Sequence, residues 1–170
     1  MIWVDEFEQL TGAQFVSAAY QYAQTFKASR TATITTLGAT LTANIGFDPG
    51  VVTISLKNVD GSYKPGSITY GSGTVIPGPG TFPPQWFYVN ITPYQISSGS
   101  YYSVVISVTA GGDIYTGMNA ADAYGSDPNV QGWQSTDYGV TWVGSGGLKN
   151  WWDVAFRVGA PEDNFLPFFI

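Results

Sequence analysis

Apolar and polar residues alternate along most of this chain. Val52, Ile54 and Leu56 face one way, and Thr53, Ser55 and Lys57 face the other. Phe87, Val89 and Ile91 share a face, as do Tyr102, Val104, Ile106 and Val108. Ala32, Ile34 and Thr36 alternate with Thr31, Thr33 and Thr35, and Val154, Phe156 and Val158 alternate with Asp153, Ala155 and Arg157. A period of two predicts half-buried β-strands, because successive side chains of a strand point to opposite sides. The turn signals lie between these runs, at Asp48-Pro49-Gly50, Asp60-Gly61 and Ser98-Gly99. Residues 60–84 hold eleven Gly or Pro, which predicts mostly loop with one short strand at Ser67–Tyr70.

Short strands separated by Gly/Pro turns, with no long amphipathic helix, predict an all-β chain: a two-sheet antiparallel β-sandwich of seven to nine strands spanning 20–158. Its expected core is Phe26, Ile34, Leu41, Val52, Ile54, Leu56, Phe87, Val89, Tyr102, Val104, Ile106, Val154 and Phe156. Two segments fall outside that pattern. In 1–19, Val4, Phe7 and Leu10 are spaced by three, which suits either a helical turn or two, or an extended N-terminal arm. In 159–170, Pro161 and Pro167 keep the chain extended and Phe165, Leu166, Phe168, Phe169 and Ile170 make it an apolar C-terminal tail. Apolar strips of this kind mark contact sites. Ile2, Trp3, Val4 and Phe7, with the five apolar tail residues, are therefore the expected partner-binding set.

Composition narrows the chemistry. Charged residues are 11% of the chain, and His and Cys are absent. Ser-His-Asp and Cys-His catalysis and zinc, haem-His or iron–sulfur ligation have no side chains to work with. Glu occurs only at Glu6, Glu8 and Glu162, in the terminal segments. Several aspartates sit beside Gly or Pro and read as turn residues, so no credible acid–base pair for glycoside hydrolysis emerges. The chain is expected not to be an enzyme. Six Lys+Arg against twelve Asp+Glu give net −6, the wrong balance for a nucleic-acid partner. No apolar run is long enough for a membrane-spanning helix, and no membrane partner is expected. The first residues are acidic where a signal peptide is basic, so signal-directed secretion is not expected either.

The sharpest motif is Ser135-Thr136-Asp137-Tyr138-Gly139-Val140-Thr141-Trp142, which matches the Asp-box S-x-D-x-G-x-T-W at every fixed position. Sialidases carry several such boxes, one per propeller blade, where the box is structural; one copy here predicts a hairpin brace. Ser135, Asp137, Gly139, Thr141 and Trp142 are its structural residues: Asp137 accepts from turn N–H groups, Gly139 supplies the positive φ, and Trp142 packs back over the hairpin. No cofactor is expected. Asp113, Asp122 and Asp127 flank an oxygen-rich loop that suits Ca²⁺, with loop solvation the preferred reading. Trp133, Tyr138 and Trp151 are candidates for stacking against sugars, with burial at an interface the competing reading.

Residues 22–158 resemble, in Ala23-Gln24-Thr25-Phe26-Lys27-Ala28, Val52-Thr53-Ile54-Ser55-Leu56, Asp60 to Gly66, Ile96 to Tyr102, the single Asp-box and Asp153-Val154-Ala155-Phe156-Arg157, a family of jelly-roll-like β-sandwich modules. These modules occur in bacterial and archaeal surface proteins and in phage structural proteins. The resemblance implies a sandwich fold and an extracellular or virion setting, without an activity. The expected function is a virion structural protein, a capsid decoration or tail component that binds other virion proteins or its own copies through its arms. The alternative is a carbohydrate-binding module attaching to surface glycans.

Overall fold

The computed structural model describes residues 1–8, 12–16, 19–43, 50–78, 85–108, 114–119, 127–144 and 153–161. Every regular element among them is a strand: β1 (Ile2–Phe7), β2 (Gly12–Val16), β3 (Gln21–Lys27), β4 (Ala32–Ala43), β5 (Val52–Val59), β6 (Pro65–Val75), β7 (Gln85–Ile96), β8 (Tyr101–Val108), β9 (Ile114–Asn119), β10 (Gly132–Ser135), β11 (Val143–Gly144), β12 (Asp153–Val154) and β13 (Phe156–Ala160). They form two antiparallel sheets. One has seven strands in the order β1-β13-β4-β9-β12, with β2 added to β9 and β7 to β4; the other has six, in the order β11-β10-β3-β8-β5-β6. The chain is an all-β, two-sheet sandwich.

The alternation places the core. Tyr22 and Phe26 of β3, Ile54 and Leu56 of β5, and Val104 and Ile106 of β8 face Ile34, Leu37 and Leu41 of β4 and Phe156 and Val158 of β13, all in one buried cluster. Every expected core residue belongs to this cluster except Phe87, which packs against it half-buried because β7 is an edge strand.

The sandwich is wider than expected. Residues 2–7 are not a free arm: β1 pairs with β13, from Ile2↔Ala160 to Phe7↔Phe156. Val4 and Phe7 are buried in the core. The register shifts between Trp3 and Asp5, and this bulge lets two residues spaced by three both turn inward. The neighbouring loop also grips the strand, through Ser29 Oγ donating to Val4 O at 2.9 Å and Arg30 donating to Trp3 O at 2.6 Å. At the other end β13 runs to Ala160, so the domain spans at least 2–160, not 20–158.

The Gly/Pro-rich stretch contains the eleven-residue strand β6, longer than the four residues expected. Its glycines serve close approach instead of turns. A Cβ on Gly71 would lie 2.9 Å from Ile91 Cδ1, and one on Gly73 only 2.6 Å from Asn90 O. β6 and β7 lie in different sheets, and the missing side chains let the sheets pinch together along that side.

Two tyrosines at the core margin give a testable alkaline limit. Burial pushes the Tyr22 hydroxyl up to about 12, against a smaller lowering by the hydrogen bond from Gln134. Burial, with the side-chain hydrogen bond to Tyr70 second, does the same for Tyr94. A raised folded pKa means that the protonated phenols contribute stability fully below the ordinary value of 10. That contribution is lost as pH rises from 10 through about 12. Tyrosinate absorbance should show these two ionising after the ordinary tyrosines, with denaturant midpoints falling over that pH window. Midpoints flat to pH 12 would contradict it.

Candidate functional site

The outer face of the six-stranded sheet carries two turns that lean over it. The first joins β5 to β6. Asp60 Oδ1 accepts from the N–H groups of Ser62 at 2.8 Å and Lys64 at 3.0 Å, and Tyr63 takes a positive φ of 61°. The turn is tied to the sheet by a relay: Trp133 Nε1 donates to Thr25 Oγ1 at 2.9 Å, which donates to Tyr63 O at 3.0 Å.

The second turn joins β10 to β11 and is the S-x-D-x-G-x-T-W segment. Ser135 Oγ donates to Asp137 Oδ1 at 2.8 Å and accepts from Gly139 N at 2.8 Å. Thr141 N donates to Asp137 Oδ1 at 2.8 Å and Thr141 Oγ1 to Oδ2 at 2.6 Å. Gly139 has φ of 80°, and a Cβ there would lie 2.6 Å from Gln21 Oε1. Trp142 packs with Trp133, Ala23 and Val105 in a small second core under the hairpin.

The Thr141 hydroxyl, aided by the Thr141 N–H and Ser135, holds the Asp137 carboxyl below its ordinary value. A depressed folded pKa contributes stability above the unfolded value of 3.8, lost as pH falls through the folded one. Asp137→Ala should lower the melting temperature by on the order of a few degrees at neutral pH. The gap from the native chain should close in strong acid. A melting temperature unchanged at neutral pH would remove the bracing role.

Between the two turns lies an open cleft of about 360 Å³, lined by Lys57, Asp60, Lys64 and Pro65–Ser67 on one side and Gly139–Trp142 on the other. Both lysines are half-buried, and among the described residues neither is in an ion pair. Val140, on the rim, is 78% exposed. Sequence reading missed this site, because its walls are about eighty residues apart in the chain; the signal available was two lysines flanking an Asp-Gly turn.

The three sugar-stacking candidates do not form a shared platform among the described residues. Trp133 does point to the outer face but is only 5% exposed, its ring lying over Gly144 and its N–H spent on Thr25. It is a brace, not a stacking surface. Tyr138 is 69% exposed at the turn tip. Trp151 lies outside the described residues, as do Asp113 and Asp122 and the tail residues Phe165, Leu166, Phe168, Phe169 and Ile170. Asp127 spends its oxygens on the protein: Oδ2 accepts from Tyr101 OH at 2.6 Å and Oδ1 from Asn129 N at 3.0 Å, with Lys27 Nζ 3.9 Å away. The Tyr101 phenol, first among these, keeps its carboxyl below the ordinary value. Among the described residues no group of three or more acidic side chains is placed to hold a metal ion.

The outer face of the seven-stranded sheet is built around Arg157. Its guanidinium lies 4.2 Å from the Trp86 ring and 5.1 Å from that of Trp3, with Glu6 Oε2 3.2 Å from Nε and with Glu8 and the Tyr88 hydroxyl as further partners. Trp3 stacks on Tyr88 at 5.3 Å. Trp3 and Glu6 of β1 are thereby fastened to β13 and β7, and Arg157 is a paired surface charge. Ile2, Trp3, Val4 and Phe7, expected to bind partners, are thus committed to the chain's own sheet. No family model and no curated protein matches this chain, so its functional reading rests on geometry and sequence pattern.

Proposed function

We propose that this chain is a non-enzymatic structural module of a virion, a capsid decoration or tail component that joins copies of itself or other virion proteins. The observation that carries the reading is the free edge of β6. This strand ends the six-stranded sheet, and among the described residues nothing pairs with its outer side. Over Gly66–Val75 it has no charged side chain and no proline, and Ile68 within it and Ile76 just after it are exposed. Edge strands of lone proteins are normally blunted by Lys, Pro or a covering segment, since a bare row of N–H and C=O groups invites another chain. The neighbouring edge strand β7 has such a device in Pro93. β6 opens with Pro65 and its pairing with β5 is bulged near Lys57, but the stretch Gly71–Val75 is regularly paired, neutral and free of proline, and suits strand addition by a neighbour. The apolar segment 162–170 supplies a second sticky element in the sequence.

Native mass spectrometry of the full chain should show oligomers. Ser72→Lys with Thr74→Lys should return them to monomers with the circular dichroism of the sandwich intact. Purified particles from the source culture should contain the chain in fixed ratio to the coat protein. A monomer at every concentration, absent from such particles, would refute the proposal.

A further inference from the structure

We infer that the cleft between the two braced turns is a binding site for an acidic saccharide, a sugar ring carrying a carboxylate. Its volume of about 360 Å³ falls within the range of small-ligand sites, about 300–1,000 Å³. The chain has twice as many acidic as basic residues. Even so, Lys57 and Lys64 stand in one cleft with no carboxylate paired to either among the described residues. Two ammonium groups in one cleft without a paired carboxylate favour an anion from outside.

The remaining lining selects the kind of anion. Asp60 commits Oδ1 to its own turn, while Oδ2 has no partner among the described residues. A free carboxylate oxygen repels a bare phosphate or sulfate but accepts hydrogen bonds from sugar hydroxyls. Ser67 adds a hydroxyl, and the exposed Val140 offers apolar surface to the carbon face of a ring. The walls are preorganised, since the Asp60 turn is tied down through Thr25 and the opposite turn through Ser135 and Asp137. Little ordering remains to be done on binding. The cleft shares Gly66 and Ser67 with the start of β6, whereas Ser72 and Thr74 lie further along the strand and outside the lining, so binding and assembly can be tested by separate variants.

The test is a calorimetric or NMR titration of the full chain with glucuronate- or galacturonate-containing oligosaccharides, their neutral counterparts and inorganic phosphate. The acidic oligosaccharides should bind at least about tenfold more tightly than the neutral ones, and more weakly as salt is raised. Lys57→Gln with Lys64→Gln should abolish that preference while leaving the melting temperature unchanged. Asp60→Asn keeps an oxygen to hold the turn and separates the two anion classes: it should weaken the saccharide and strengthen phosphate. Equal binding of acidic and neutral sugars, phosphate binding as tight as the saccharide's, or no binding of any acidic oligosaccharide would each overturn the assignment.

Discussion

Phe156→Ala is expected to destabilise the fold by about 3–5 kcal/mol, the range for removing a buried phenylalanine. Phe156 is fully buried and opens β13, where it pairs with Phe7 on one side and Ala39 on the other. Its ring meets Phe26 of the opposite sheet at 5.2 Å with 31° between the planes. Truncation therefore empties space between the sheets and breaks an aromatic pair that adds about 0.5–1.5 kcal/mol beyond burial. Neither sheet can collapse to fill the gap without shifting a strand that is hydrogen-bonded on both sides. Against a total stability of about 5–15 kcal/mol for a typical domain, this is enough to populate the unfolded chain. Ile76→Ala is the matched control: Ile76 is 64% exposed, and its loss should stay within about 0.5 kcal/mol. Chemical denaturation measures both. Similar shifts for the two variants would mean that Phe156 is not packed between the sheets.

That contrast also marks what the sequence made legible. Phe156, Ile54, Val104 and their partners were readable because a strand with one buried face enforces alternation at every second position. Three features broke the rule, each for a physical reason. Val4 and Phe7 are spaced by three, and only the bulge at the start of β1, set by pairing with a strand some 150 residues away, brings both inward. Gly71 and Gly73 looked like turn residues, because a missing side chain signals a turn and a tight inter-sheet contact equally well. Trp133 looked available for stacking, but its cover comes from Trp142 and Gly144 across a hairpin, and from Thr25. The Ser135–Trp142 segment was legible because its hydrogen bonds are local. The cleft beside it was not, because it exists only where two turns from distant parts of the chain are brought over one sheet.

Gln24→Met should cost about 1–3 kcal/mol, the penalty for leaving a buried N–H without an acceptor. Gln24 points into the core between Tyr22 and Phe26 and is 0% exposed. Its Oε1 accepts from Val154 N at 2.9 Å, reaching from the six-stranded sheet to the seven-stranded one. The need arises from the chain's path. Val154 ends β12, which pairs with β9; after Ala155 the chain resumes as β13, paired with β4. At such a change of partner the ladder is interrupted, and the side chain of Gln24 takes up the N–H that points between the sheets. Met keeps the length and volume of Gln but offers only a weak thioether acceptor and no donor for Thr25 O, which takes Nε2 at 3.2 Å, so the variant separates the hydrogen bonds of Gln24 from its packing. Gln24→Glu extends the test. It restores an oxygen acceptor, but burial in this core disfavours the carboxylate and raises its pKa above the unfolded value. With a raised folded pKa, the variant should be close to the native chain at low pH and lose stability as pH rises towards neutral. Denaturant midpoints across that range read the effect directly. A Gln24→Met variant as stable as the native chain, together with a pH-independent Gln24→Glu, would mean that the contact between the sheets contributes nothing and that the position tolerates any side chain of the right size.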